Sequence, residues 1–100
     1  MSTQPAYFLF NVTDVHDPIA FVPYQEKVVS TILQYHGQIV VADGEREGVE
    51  GTPFVGKVYL LRFASKAAAK TWYHSPEYQA IIQHRFAAAT CHASLLEGVA

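Results

Sequence analysis

Four side chains in this sequence have the chemistry to hold a small polar or charged molecule: the phenols of Tyr24 and Tyr78 and the guanidinium groups of Arg62 and Arg85. A phenol both donates and accepts hydrogen bonds, and a guanidinium presents a fork of donors that matches a carboxylate. Tyr78 and Arg85 stand seven residues apart, a spacing that puts both on one face of a helix. Tyr24 falls on the apolar stripe of an earlier helix, so these three could edge a pocket between helices and sheet. The plainer account makes Tyr24 a core residue with its hydroxyl at the rim, and has Arg85 donate to a carbonyl at its helix C-terminus. Arg62 lies inside an apolar segment, where a guanidinium taken out of water needs an anion or a hydrogen-bonded partner. Glu97, a carboxylate of a second subunit or an acidic ligand would serve. An ion pair within a dimer is the simplest of these.

Other reactive groups give weaker signals. The five histidines, at 16, 36, 74, 84 and 92, include no i,i+4 pair and no HExxH. Their spacing supports no metal site. Ligation of a haem by one histidine would fall to His84 or His74, again without support from the sequence, and we expect no metal and no cofactor. Cys91 adjoins His92, but strand neighbours point to opposite faces and form no nucleophile–base pair. Cys91 reads as a buried structural thiol. GxSxG, P-loop and GxGxxG patterns are absent, which leaves hydrolase and nucleotide-binding readings without a local motif.

The elements that must position these groups follow from periodicity. Ala6 to Val12 is aromatic, β-favouring and apolar on both alternating faces, so it reads as a strand covered on both sides. Asp17-Pro18 starts a helix as cap and first residue. Phe21, Tyr24, Val28, Ile32 and Tyr35 then recur at helical steps. Pro23 should kink that helix or force a restart, and Gly37 should end it in the left-handed conformation. Gln38 to Ala42 forms a short strand, and Asp43-Gly44 a turn. Residues 43–56 hold four glycines, one proline and four acidic side chains, an exposed loop. Lys57 to Phe63 is a third strand, strongly apolar. Ser65 caps a helix reaching about His74. Ser75 caps the next, with Pro76 in its first position and Glu77 beside the positive end of its dipole. That helix reaches about Ala88 and pins Trp72, Tyr73 and Tyr78 at a defined break, with Trp72 in the core or an interface. Cys91 to Glu97 closes the order β-α-β-β-α-β, the second α being a broken pair. This is the ferredoxin-like α+β arrangement, a four-stranded antiparallel sheet with helices on one face.

Bulk properties narrow the function. One hundred residues make one domain, 1–100, with one modest core. Charged residues make up 16%, against about 25% in an average soluble domain, while 50% are hydrophobic. So little charge suits a surface partly covered by a partner. Net charge is −2 with no basic run, which speaks against a nucleic-acid partner. Apolar runs of about five residues are far short of a membrane span, and the opening Met-Ser-Thr-Gln-Pro lacks the features of a signal peptide. A single cysteine fits a reducing compartment, so a cytoplasmic location is expected. The first and third strands are apolar on both faces, yet helices can cover only one. We therefore expect a homodimer joined through the open sheet faces.

Several segments resemble domain-of-unknown-function family 1330, of the dimeric α+β-barrel superfamily. They are Asp17-Pro18 followed by Phe21 and Tyr24, then Tyr35-His36-Gly37, Val49-Glu50-Gly51 and the strand Val58 to Phe63. Ser65, Ala68 and the string Trp72-Tyr73-His74-Ser75-Pro76-Glu77-Tyr78-Gln79 follow, with Arg85 and the closing Leu96-Glu97-Gly98-Val99. The resemblance spans nearly the whole chain. His36 stands where the family tends to have the first of two glycines, and Arg62 where it often carries an acidic residue. The family's activity is unassigned, and fold kinship alone does not supply one. Related barrels include cofactor-independent oxygenases, lactone isomerases and haem-handling enzymes.

Together these observations lead us to expect a small organic ligand, acidic if an arginine holds it, bound by Tyr24, Arg62, Tyr78 and Arg85. Two alternatives stand beside that reading. One is a cofactor-independent enzyme of monooxygenase or isomerase type, with Tyr24 or a histidine moving protons and an arginine stabilising enolate-like charge. The other is a structural or interaction module without a ligand.

Overall fold

The computed structural model describes residues 4–43 and 46–99. Its elements are β1 (Ala6–Val15), α1 (Pro18–Gln34), β2 (Gln38–Ala42), β3 (Lys57–Phe63), α2 (Lys66–Tyr73), α3 (Pro76–Ala88) and β4 (Ala89–Glu97). The strands form one antiparallel sheet in the order β2-β3-β1-β4, the ferredoxin-like topology expected from the element order. Pairing runs Ala6 against Phe63, Phe8 against Leu61 and Phe10 against Tyr59, so one set of alternate residues meets the helices. Phe8, Phe10, Val12, Leu61 and Phe63 are all buried on that face. Tyr7, Leu9, Leu60 and Arg62 occupy the opposite face, each only half-buried.

Each helix begins on a side-chain cap. The carboxylate of Asp17 accepts from the Ala20 amide, Ser65 Oγ from Ala68 and Ser75 Oγ from Tyr78. Ser75 also donates to the Trp72 carbonyl at 2.6 Å, which fixes the break between α2 and α3 from both sides. Trp72 and Tyr78 are fully buried there, their ring centroids 4.2 Å apart. The indole Nε1 donates to Thr31 Oγ1 at 3.1 Å, satisfying the only polar atom of that side chain. Tyr35 Oη donates to Glu77 at 2.6 Å, and Gln34 adds a second bond to the same carboxylate. α1 is thereby tied to α2 and α3 at several heights.

Four local expectations need correction. α1 runs unbroken through Pro23 and shows no restart. Pro23 has no N–H to give the Ile19 carbonyl, and the helix runs on through it where Ile19 is 85% exposed. At the helix end, His36 and not Gly37 takes the left-handed conformation, with φ of 64°. Gly37 is required for a different reason: a Cβ there would lie 2.7 Å from Ile32 Cγ2 and from the Phe63 ring. β1 extends three residues past Val12, through a register shift between Val12 and Asp14, so Asn11 lies within the strand. β4 begins at Ala89, directly after α3, and not at Cys91. Of the expected turn, Asp43 has a φ of 51°, while Gly44 lies outside the described residues, as do the opening Met1 to Thr3.

Candidate ligand-binding site

The sheet and α1 do not close completely on each other. Between them is a cavity of about 210 Å³, walled by Phe10, Val12, Leu61, Phe21, Val28 and Ile32. Its polar lining comes from Tyr24, Gln25, Tyr59 and Arg85. The mouth lies between α1 and β2, where Val29 and Ile39 are 44% and 37% exposed. Arg85, by contrast, is 4% exposed, so the charge sits at the closed end.

Helical geometry brings the cluster together. Phe21, Tyr24 and Ile32 form the inward stripe of α1, while Tyr78, Ile81, Ile82 and Arg85 form that of α3. The two hydroxyls of Tyr24 and Tyr78 share a buried hydrogen bond of 2.8 Å. Tyr24 thus keeps its hydroxyl in the interior, not at the rim. The Arg85 guanidinium carbon lies 5.3 Å from the Phe10 ring centroid and 5.9 Å from that of Tyr24, within cation–π range of both. Arg85 donates to no helix carbonyl: its guanidinium lies against the Tyr78 hydroxyl and the Cys91 thiol, while its buried Nε has no hydrogen-bond partner among the described residues. Among the described residues, the ion pairs within 4.0 Å are those of Asp43 with Arg46 and with Lys57. Arg85 therefore has no carboxylate beside it among those residues.

Burial acts differently on the groups around this cation. It pushes the Tyr24 phenol far above its ordinary range, an effect Tyr78 reinforces, and it raises Tyr78 and Cys91 as well. All three are neutral at physiological pH. Burial opposes the charge on Arg85, yet its pKa lies above the ordinary guanidinium value and the group stays protonated. The outcome is a desolvated positive charge facing neutral donors and aromatic rings.

Of the four residues singled out from sequence, Tyr24 and Arg85 line the cavity. Tyr78 stands behind them and reaches the cavity through Tyr24. Arg62 does not join them: it pairs in register with Tyr7 and Gln38 on the opposite, open sheet face. Glu97 pairs with Ala6, which faces the helices, so it is on the wrong side of the sheet to meet Arg62. Tyr59 and Gln25 were not foreseen. Alternation with Leu61 and Phe63 would have put Tyr59 on the helix-facing side, whereas nothing in the sequence singles out Gln25 from its exposed neighbours. No histidine lines the cavity, and no three His, Cys, Asp or Glu side chains converge among the described residues. Cys91 is half-buried, pairs with Val12 on the helix-facing side, and is separated by the sheet from His92, which pairs with Asn11.

These features define a ferredoxin-like α+β protein whose helix-covered side encloses a small, mostly apolar cavity with one cation at its base. The sequence profile of the domain of unknown function DUF1330 matches residues 5–99, and the chain belongs to that family. Among curated proteins no match is found. Solved structures share the fold at low identity. The RPA0582 protein of unknown function from Rhodopseudomonas palustris is 20% identical, with a TM-score of 0.73 over 97% of this chain and 84% of that one. The methylated form of RPA0582 gives 18% identity and the same TM-score of 0.73, over 98% and 83% of the two chains. SnoaB, a cofactor-independent oxygenase from Streptomyces nogalater, is 15% identical, with a TM-score of 0.60 over 94% and 92%.

Proposed function

We propose that this protein binds a small organic acid in the cavity between α1, α3 and the sheet. Arg85 takes the carboxylate, Tyr24 donates a hydrogen bond to it, and Tyr78 holds the Tyr24 hydroxyl in place. The supporting observation is a guanidinium that is 4% exposed, has an unpartnered Nε and borders empty space. Removing such a group from water is costly without an anion, and a bound carboxylate would supply one. A cavity beside it favours binding over simple packing.

Thermal-shift measurements with carboxylates and their matched amides, on the wild type and on Arg85→Met, test this reading. Carboxylates should raise the melting temperature, amides should not, and the variant should lose the response. Equal binding by Arg85→Met, or no response to any acid, would sink it.

The second reading is a cofactor-independent enzyme. Its support is the pairing of Arg85 with the Tyr24 phenol, two donors suited to an enolate-like oxyanion, together with fold-level likeness to SnoaB. The raised Tyr24 phenol makes a poor base at neutral pH, and the absence of histidine from the cavity lining leaves proton removal without a protein group there. Incubating a bound acid in air separates the readings. Unchanged recovery favours binding, and Arg85-dependent conversion favours catalysis.

We also propose that the protein is a cytoplasmic homodimer joined through the open sheet face. Leu9, Leu60 and Tyr7 make that face apolar, and no helix packs over it. Arg62 then belongs to the dimer interface and not to the ligand. A lone cysteine supports a reducing cytoplasmic setting; among the described residues no helix is long and apolar enough to cross a membrane. Light scattering should give twice the chain mass, and Leu60→Glu should reduce it to one.

A further inference from the structure

We infer that the ligand is an apolar monocarboxylate, such as a benzoate- or hexanoate-sized acid, and that it enters carboxylate first with its hydrocarbon part towards the mouth. This rests on the reading of the cavity as an acid-binding site and adds charge number, polarity and orientation to it.

The number of charges follows from the lining. Among the described residues Arg85 is the only charged side chain on the cavity wall, and nine of the thirteen lining residues are wholly apolar. A second anionic group on the ligand would be desolvated against Val28, Ile32, Ile39 or Leu61 with no partner. That excludes dicarboxylates and disfavours phosphate esters, which carry close to two charges at neutral pH. Hydroxylated acids meet the same objection in weaker form, since the polar groups besides Arg85 are Tyr24, Tyr59 and Gln25.

Orientation follows from where the charge sits. The cation is at the closed end, 4% exposed, whereas Val29 and Ile39 flank the opening at 44% and 37%. A carboxylate reaching Arg85 must place the remainder of the molecule along α1 and out towards β2. At the closed end it also meets a spare donor. When Tyr78 is the donor in its hydrogen bond with Tyr24, the Tyr24 hydrogen is left to turn towards the cavity. A carboxylate, which only accepts, satisfies both that hydrogen and the Arg85 fork. Size is limited too: about 210 Å³ lies below the roughly 300–1,000 Å³ of pockets for drug-sized ligands.

Calorimetric titration with hexanoate, benzoate, adipate and gluconate, on the wild type, Arg85→Met and Ile39→Lys, decides the matter. Hexanoate or benzoate should bind on the order of tenfold more tightly than adipate or gluconate, because adipate's second carboxylate and gluconate's hydroxyls would be desolvated against apolar walls. Ile39→Lys, a change at a partly exposed mouth residue, should weaken hexanoate and strengthen adipate by supplying the missing cation. If adipate binds the wild type as tightly as hexanoate and Arg85→Met abolishes both, the acid site stands and the monocarboxylate inference falls. If Ile39→Lys strengthens hexanoate, the carboxylate lies at the mouth and the orientation is overturned. If no acid binds in an Arg85-dependent way, the site and the inference fall together.

Discussion

The hydroxyls of Tyr24 and Tyr78 lie 2.8 Å apart in a region where both residues are buried, one on α1 and the other on α3. This bond couples the helix that walls the cavity to the helix that carries its cation. It also holds the Tyr24 hydroxyl in the lining of the same cavity as Arg85.

Breaking the pair from both sides should cost less than the two single breaks added together. Tyr24→Phe or Tyr78→Phe leaves a buried hydroxyl without its partner, for an expected loss of about 1–3 kcal/mol each. The double variant should lose less than the sum of the two. Urea denaturation of all four proteins checks this, and additive losses would show that the hydroxyls do not depend on each other.

Arg85 should be a burden to the unliganded fold. Arg85→Met keeps much of the stem's packing and removes a desolvated charge, so stability should stay level or rise by up to about 2 kcal/mol. A clear fall in the denaturation midpoint without ligand would mean that the guanidinium is satisfied by the protein itself.

His36 and Gly37 should respond oppositely to substitution. His36→Gly relieves a side chain held at φ of 64° and should gain about 1 kcal/mol, the left-handed penalty less the added chain entropy. Gly37→Ala would push a methyl to within 2.7 Å of Ile32 and Phe63 and should be strongly destabilising. Melting temperatures of the two variants give the comparison directly.

The α1–α3 clasp at Glu77 should weaken in acid. The hydrogen bond from Tyr35 holds the Glu77 carboxyl below its ordinary 4.5, so the folded state binds its proton less readily than the unfolded chain. The stabilisation is complete above about 4.5 and fades as pH falls through the lower folded-state value. The stability gap between wild type and Tyr35→Phe should therefore be present at neutral pH and close in acid. A gap that persists well below 4.5 would assign the Tyr35 contribution to packing alone.

Caps and periodicity made most of the fold readable in advance. Asp17-Pro18, Ser65 and Ser75-Pro76 mark helix starts because each offers an oxygen to an orphaned amide, and all three do so here. The Tyr24, Tyr78 and Arg85 grouping was legible because helical spacing alone determines which side chains share a face. Arg62 was misgrouped with them because an apolar strand hides which of its two faces meets the helices. Only the register with Tyr7 and Gln38 resolves that. The left-handed residue at 36 was missed because glycine is the default at that position, and Gly37 is close enough to satisfy the pattern while serving another purpose. The unpartnered Arg85 Nε was also out of reach, since a missing hydrogen-bond partner is a property of three-dimensional surroundings.

Because Ala88 ends α3 and Ala89 begins β4, the chain has no slack between the helix that bears Arg85 and the strand beside it. Rotation of α3 about its axis must be transmitted to the β1–β4 ladder, where the backbone hydrogen bonds resist it. The guanidinium is thus mounted on a rigid bracket, while the opposite wall of the cavity, α1 facing β2, meets its neighbour through few side chains. Any widening of the cavity must come from the α1 side. If the cavity holds the proposed acid, a lineage changing that ligand would vary Val29, Gln25 and Ile39 and conserve the length of the α3–β4 joint, because a single inserted residue there would shift the arginine relative to the cavity.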